Sequence, residues 1–398
     1  MLRPLSLIGP GLLLAATGVG AGDLATGAFA GAKLGTAVLW AVALGALLKF
    51  SLNEGLARLQ LASGQTIFVA VSQRLGRWPL ILFLPYLLLW SYFVGAALIS
   101  ACGVAGHALI DMGLGADAGK RWLGAAQALI ALALVWLGGF ALFERLMKLF
   151  VGLMFAVVLL TAVQLWPGSD AVLGGLFLPR IPAVPEALDW TLALMGGVGG
   201  TVTVLCYGYW IREAGRTHAD DLKSCRYDLA AAYGMTAIFG LAMVIIGSTV
   251  TVEGRGAGLI IVLADSLALQ LGPVARQLFL IGAWGAMFSS LLGVLQAVPY
   301  LWADLIRALL GQPGGRPLRE TRSYLWALLL LACVPMLGLG TGFAQIQKFY
   351  AIAGALFMPA LALLLLWLNN RLPLLGNRWL ANAGLLLTLL CFSAFALY

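Results

Sequence analysis

Apolar residues dominate this chain in runs, and polar punctuation between the runs is short. The runs lie at roughly 6–32, 36–60, 79–109, 122–140, 146–166, 188–211, 228–252, 277–309, 322–340, 343–368 and 379–397. Each is close to the ~20 apolar residues that a bilayer-crossing helix needs. The punctuation is turn-like or charged: "SQRLGRW", "WPGSDAVLGG", "REAGRTHADDLKSCR" and "GQPGGRPLRETR". The pattern predicts an all-α polytopic membrane protein of about 11 transmembrane helices in one transport-sized domain spanning 1–398, with no stretch left over for a soluble domain.

Composition agrees. The 398 residues are 62% hydrophobic and 10% charged, against ~25% charged in soluble domains. The formal net charge of +8 does not point to nucleic acid, because the basic residues fall mainly in the short connections. There they set orientation. With the N-terminus in the cytoplasm, seventeen Lys and Arg fall inside, Lys49 counted among them, and seven outside. That bias predicts N-inside, C-outside insertion in the plasma (inner) membrane. The N-terminus reads as a retained first helix rather than a cleaved leader.

Two runs are interrupted. "ATGVGAGDLATGAF" (16–29) carries Gly18, Gly20 and Gly22 beside Asp23, and "MGGVGGTVTVLCYGYWIREAGR" (195–216) carries Gly196, Gly197, Gly199, Gly200 and Gly208. They occupy the same place in two five-helix halves, roughly 6–166 and 188–368, with an extra helix at roughly 379–397. Matched interruptions of this kind mark inverted-repeat transporters. Unwound backbone survives at membrane depth only where it is buried in protein or lines a cavity. Glycine for close helix packing is the competing explanation. Asp23 tips the balance, since an ionisable group inside a span costs about 2.5–3.5 kcal/mol on insertion scales. A bound cation would offset that cost. Alternatively, Asp23 caps a half-helix starting at Leu24; one oxygen can cap while the other coordinates.

These residues resemble a family. "GPGLLLAATGVGAGDLATGAFAGAKLG", from Gly9, resembles the first helix of the Nramp metal transporters. "LLKFSLNEGLARLQLASGQT" resembles their second helix and "FLIGAWGAMFSSLLGVLQAVPYLWADLIR" their eighth. The resemblance implies a LeuT-type fold (APC superfamily): a 5+5 inverted repeat with unwound helices 1 and 6, plus an eleventh helix. It also exposes departures. The family's Asp-Pro-Gly-Asn falls on Gly20, Ala21, Gly22 and Asp23, and its Met-Pro-His on Thr203, Val204 and Leu205. The acidic residues of its third helix have no counterpart in "PYLLLWSYFVGAALISACG".

The expected metal site is therefore Asp23 with the backbone of Gly20 and Ala21, then Thr203 and Cys206, with Thr17 and Tyr207 lining the substrate cavity. Such a donor set is hard, suiting Mg²⁺, Mn²⁺, Ca²⁺ or Na⁺, unless Cys206 faces the ion. One carboxylate implies a partly hydrated divalent ion or a monovalent one. Arg212 and Glu213 are expected at an inner gate, with Glu54 as one partner. Ser289 and Ser290 stand where related folds place a second cation. Lys348 is expected to snorkel or to pair on the outer side, and His107 and His218 sit too near loops for proton relays. Cys102, Cys206, Cys225, Cys333 and Cys391 form no CxxC pair and read as buried small residues.

The functional expectation is a secondary transporter of a cation, divalent and of Mg or Mn type, by alternating access. A Na⁺- or H⁺-coupled symporter of a small organic solute such as an amino acid, and a membrane sensor that does not transport, are the alternatives. No nucleophile–base pair suggests an enzyme. No cofactor, no nucleic acid and no oligomeric partner is called for beyond the substrate and the lipid bilayer.

Overall fold

In the computed structural model, residues 9–110, 112–197, 199–249, 258–312, 316–340 and 343–396 are described, and all regular structure among them is helical. The first half holds α1 (Pro10–Gly18), α2 (Ala21–Leu34), α3 (Leu39–Ser63), α4 (Ile67–Leu75), α5 (Trp78–Leu109), α6 (Ala116–Leu137), α7 (Gly139–Gln164) and α8 (Ser169–Phe177). The second half holds α9 (Ala187–Gly197), α10 (Tyr207–Glu213), α11 (Leu222–Ser248), α12 (Gly258–Leu271), α13 (Pro273–Leu310), α14 (Arg322–Cys333), α15 (Phe343–Asn369) and α16 (Trp379–Ala396). The side chain of Lys348, in α15, lies outside the described residues.

Helix starts and stops follow local chemistry. Pro10 and Pro273 open α1 and α13, where a missing N–H costs nothing. The Thr66 and Thr321 hydroxyls accept from Val69 N and Tyr324 N to cap α4 and α14. Exposed leucines such as Leu137, Leu269 and Leu337 face what a bilayer would cover. Of the 18-residue apolar window in each crossing, 82% is buried in Ala187–Glu213 and 83% in Pro273–Leu310, against 28% in Ala116–Leu137. The broken sixth crossing and α13 are thus the interior of the bundle.

The two interruptions are real breaks. Between α1 and α2, Val19 and Gly20 are extended. Between α9 and α10 the chain passes through Gly199 and Gly200, at φ of 80° and 85°, then a 3₁₀ turn at Val202–Cys206. Those two φ values lie in the left-handed region that L side chains avoid, so glycine is required at both. The breaks touch: a Cβ on Gly18 would stand 2.6 Å from the carbonyl carbon of Gly199.

Asp228, on α11, fixes the start of the first crossing. Its carboxylate accepts from the Gly9 and Gly11 amides at 3.2 and 2.8 Å, from the Tyr207 hydroxyl at 3.0 Å and from Arg216 Nη1 at 2.9 Å. The negative charge caps the positive end of the α1 dipole and ties α1 to α10 and α11.

Candidate functional site

A broken helix leaves backbone carbonyls without helical partners, and at membrane depth something must donate to them. Along the sixth crossing one face of α3 donates to carbonyls at the break and to two just beyond it, Val204, which also accepts from the Tyr207 amide, and Gly208, inside α10. Lys49 Nζ donates to the Gly196 carbonyl at 2.6 Å and to the Gly200 carbonyl at 2.5 Å. Asn53 Nδ2 donates to Val204 O at 2.8 Å, and Gln60 Nε2 to Gly208 O at 2.5 Å. Residues 49, 53 and 60 share a face at 100° per residue, and the carbonyls they serve recur every four residues. Tyr233, from α11, locks Asn53 by donating to its Oδ1 at 2.5 Å. Glycine again sets the approach: a Cβ on Gly45 would lie 2.6 Å from the Met195 carbonyl oxygen, and Lys49 is one turn further on.

For the first crossing the donors come from α13. Ser289 Oγ donates to Ala16 O at 3.2 Å, and Ser290 Oγ to Val19 O at 3.2 Å and Ala16 O at 3.4 Å. The single hydroxyl hydrogen of Ser289 is shared with Ala286 O at 2.9 Å. The two serines expected near a second cation therefore tie α13 to carbonyls freed by the break, and a cation there would have to turn their hydroxyl hydrogens away.

Asp23 stands between the breaks, 6% exposed. It is the third residue of α2, with Gly20 as N-cap and no side-chain cap, so it is not the cap expected at Leu24. It gains from the helix dipole instead. The Gly199 amide faces its carboxylate. Its Oδ1 lies 3.7 Å from where a Cβ on Gly197 would be, with Thr26 Oγ1 at 3.8 Å from the same point. Its Oδ2 is buried and has no hydrogen-bond partner among the described residues, and the same is true of Thr203 Oγ1. Thr203 Oγ1 is beside Gly200, 2.4 Å from a Cβ placed there. Each break-facing side chain is thus placed against the glycine segment of the sixth crossing: Asp23 by Gly197 and Thr203 by Gly200, each with one unpaired oxygen.

Lys49 is the residue that sequence reading misplaced. Counted among the inside-loop cations, it is in the body of α3 and 0% exposed. Its ammonium and the Asp23 carboxylate act electrostatically on each other. The inside count falls to sixteen against seven, and the site is not a lone carboxylate but a pair of opposite charges.

Other expected residues are placed elsewhere. The Gly20 carbonyl accepts from Leu24 N and Ala21 opens α2, so both are spent on the helix, while Ala16 and Val19 carry the freed carbonyls. Thr17 Oγ1 donates back to Leu13 O and packs on Gly293. Tyr207 points to Asp228 and the Cys225 carbonyl. Cys206 is fully buried, near Tyr209. At the inner end, Glu54 pairs with Arg58 at 2.5 Å and Arg226 at 2.8 Å rather than with Arg212. Arg212 donates to Gly64 O at 3.4 Å, and Glu213 accepts from the Tyr300 hydroxyl at 2.8 Å. A cavity of about 180 Å³ opens there, lined by Thr66, Gln73, Arg212, Asp304 and Arg307 among others. Among the described residues no three His, Cys, Asp or Glu side chains cluster as a metal cage.

Paired breaks in the first and sixth crossings, meeting around a buried carboxylate, define a helical membrane transporter of the LeuT-type architecture, not an enzyme. Within that class the chain belongs to the Nramp family: the model described as "Natural resistance-associated macrophage protein-like" matches residues 11–398. The divalent metal cation transporter MntH of Chromohalobacter salexigens is 24% identical over 98% of this chain and 83% of its own length. A variant of the Eremococcus coleocola manganese transporter superposes with a TM-score of 0.75 at 16% identity, covering 97% of this chain and 84% of that one. Mhp1, a nucleobase-cation-symport-1 transporter, follows at a TM-score of 0.59 and 14% identity over 98% and 92%.

Proposed function

We propose that the chain carries a divalent cation of hard-ligand preference, Mg²⁺ or Mn²⁺, across the plasma membrane by alternating access, working as a monomer with its N-terminus in the cytoplasm. Two inverted repeats, roughly 6–166 and 188–368, would rock around the crossing of the breaks. The observation that carries the reading is the buried, unpaired Oδ2 of Asp23, a carboxylate set against Gly197 in the same glycine segment that carries the unpaired Thr203 Oγ1 and the Gly196 and Gly200 carbonyls. All four donors are oxygens, and such sets favour hard cations. The names of the relatives, a divalent metal cation transporter and a manganese transporter, point the same way.

Lys49 sets a condition. At an effective dielectric of ~20, a divalent ion about 4 Å from an ammonium meets roughly 8 kcal/mol of repulsion. Cargo and Lys49 therefore do not share the two carbonyls. The same pair of charges favours a second reading, symport of a small zwitterionic solute such as an amino acid.

Uptake into proteoliposomes separates them. Saturable Mn²⁺ or Mg²⁺ uptake that Asp23→Ala abolishes in a folded protein supports the first reading. Saturable amino-acid uptake with no metal uptake replaces it with the second.

A further inference from the structure

We propose that Lys49 is a tethered cation that takes the cargo's place between the breaks when the site is empty, so that a cargo ion binds only by displacing its ammonium from the Gly196 and Gly200 carbonyls. The proposal rests on the cation reading of the site and adds to it what the empty carrier does.

Four observations converge. The ammonium is fully buried and its two partners are backbone oxygens of the sixth break, at 2.6 and 2.5 Å, the kind of ligand a bare cation would take. The reach is built in, because Gly45 lets α3 close on Met195 one turn before Lys49. Asp23, the residue of opposite charge, is buried against Gly197, next to the Gly196 carbonyl that Lys49 holds, so the empty site has no net charge. Finally, Lys49 leaves Asp23 Oδ2 and Thr203 Oγ1 unused. An entering ion has two free oxygens to touch before it competes for the carbonyls.

Neighbouring donors do not substitute for it. Asn53 is held between Val204 O and the Tyr233 hydroxyl, and Gln60 is spent on Gly208 O. The physical consequence concerns the return step. A buried carboxylate without a counter-charge is costly to hold in a closed site. With Lys49 in place, the carrier closes empty as a neutral site and returns without cargo, which net uptake requires.

The test is calorimetric titration of Mn²⁺ into purified full-length protein: wild type, Lys49→Gln, Lys49→Arg and Asp23→Asn. Removing the charge in Lys49→Gln should tighten Mn²⁺ binding by about a hundredfold or more, and net proteoliposome uptake should slow while Mn²⁺/Mn²⁺ exchange persists. Lys49→Arg keeps the charge on a bulkier head that withdraws less easily, and should weaken binding by at least about tenfold. Unchanged or weaker binding in folded Lys49→Gln overturns the proposal and leaves the cation reading standing. Should Lys49→Gln not fold, unchanged affinity in Lys49→Arg overturns it equally. Mn²⁺ binding in neither wild type nor Lys49→Gln overturns the cation reading and this proposal with it.

Discussion

Adding a single methyl group at Gly18 tests whether the two breaks meet. In an unobstructed helix, Gly→Ala stabilises by about 1 kcal/mol. At Gly18 the new Cβ would stand 2.6 Å from the Gly199 carbonyl carbon and 2.9 Å from its Cα and oxygen. These are backbone atoms, and they have nowhere to go: a Cβ on Gly199 would be 3.0 Å from the Tyr233 ring. Overpacking of this kind costs about 1–3 kcal/mol, which outweighs the helix gain. Gly234 on α11 is the control, since a Cβ there meets nothing within 4 Å. Unfolding in detergent should show Gly18→Ala destabilised by about 1–2 kcal/mol and Gly234→Ala stabilised by up to about 1 kcal/mol. If the two variants are equally benign, the breaks are not in contact and the site described here is wrong.

Three other substitutions probe the framework. Asp228→Asn breaks a buried ion pair with Arg216 and weakens the hold on the Gly9 and Gly11 amides; it should cost about 3 kcal/mol or more and expose the start of α1 to cysteine labelling. Asn53→Ala leaves the Tyr233 hydroxyl without its acceptor and the Val204 carbonyl with only the Tyr207 amide; a loss of about 2 kcal/mol is expected, and adding Tyr233→Phe should recover part of it in denaturant melts. Ser290→Ala removes the donor to Val19 O, for about 1 kcal/mol. It should leave uptake independent of Na⁺, whereas a Na⁺ requirement that Ser290→Ala removes would mark a second cation site.

The breaks were legible because only glycine tolerates the φ values at 199 and 200, and clustered glycines with an aspartate are rare enough in an apolar run to read. Asp23 stands out in the sequence as an acid in an apolar run, and Thr203 through the resemblance of its segment to the family's sixth helix; the structure sets both at the breaks, each with an unpaired oxygen. Lys49 was not, because a lysine within a span is normally treated as an orienting or snorkelling charge, and charge counting assigned it to a loop. The signal was nevertheless present. Lys49, Asn53 and Gln60 fall on one face of a helix, a polar stripe that a lipid-facing or purely apolar helix would not carry. Donor direction was beyond the sequence as well. Which carbonyls a break frees depends on where each half-helix ends and begins, and because α1 ends at Gly18 and α2 begins at Ala21, the freed carbonyls are those of Ala16 and Val19 rather than Gly20 and Ala21.

The central claim is that a cation binds at Asp23, between the first and sixth crossings. Anomalous diffraction from Mn²⁺-soaked crystals reads it directly. One peak is expected at Asp23 Oδ2, on the side of Thr203, roughly 2.0–2.6 Å from the carboxylate oxygen, and stronger in Lys49→Gln crystals. A map with no peak there in either protein, or with manganese bound only outside the crossing, would contradict it.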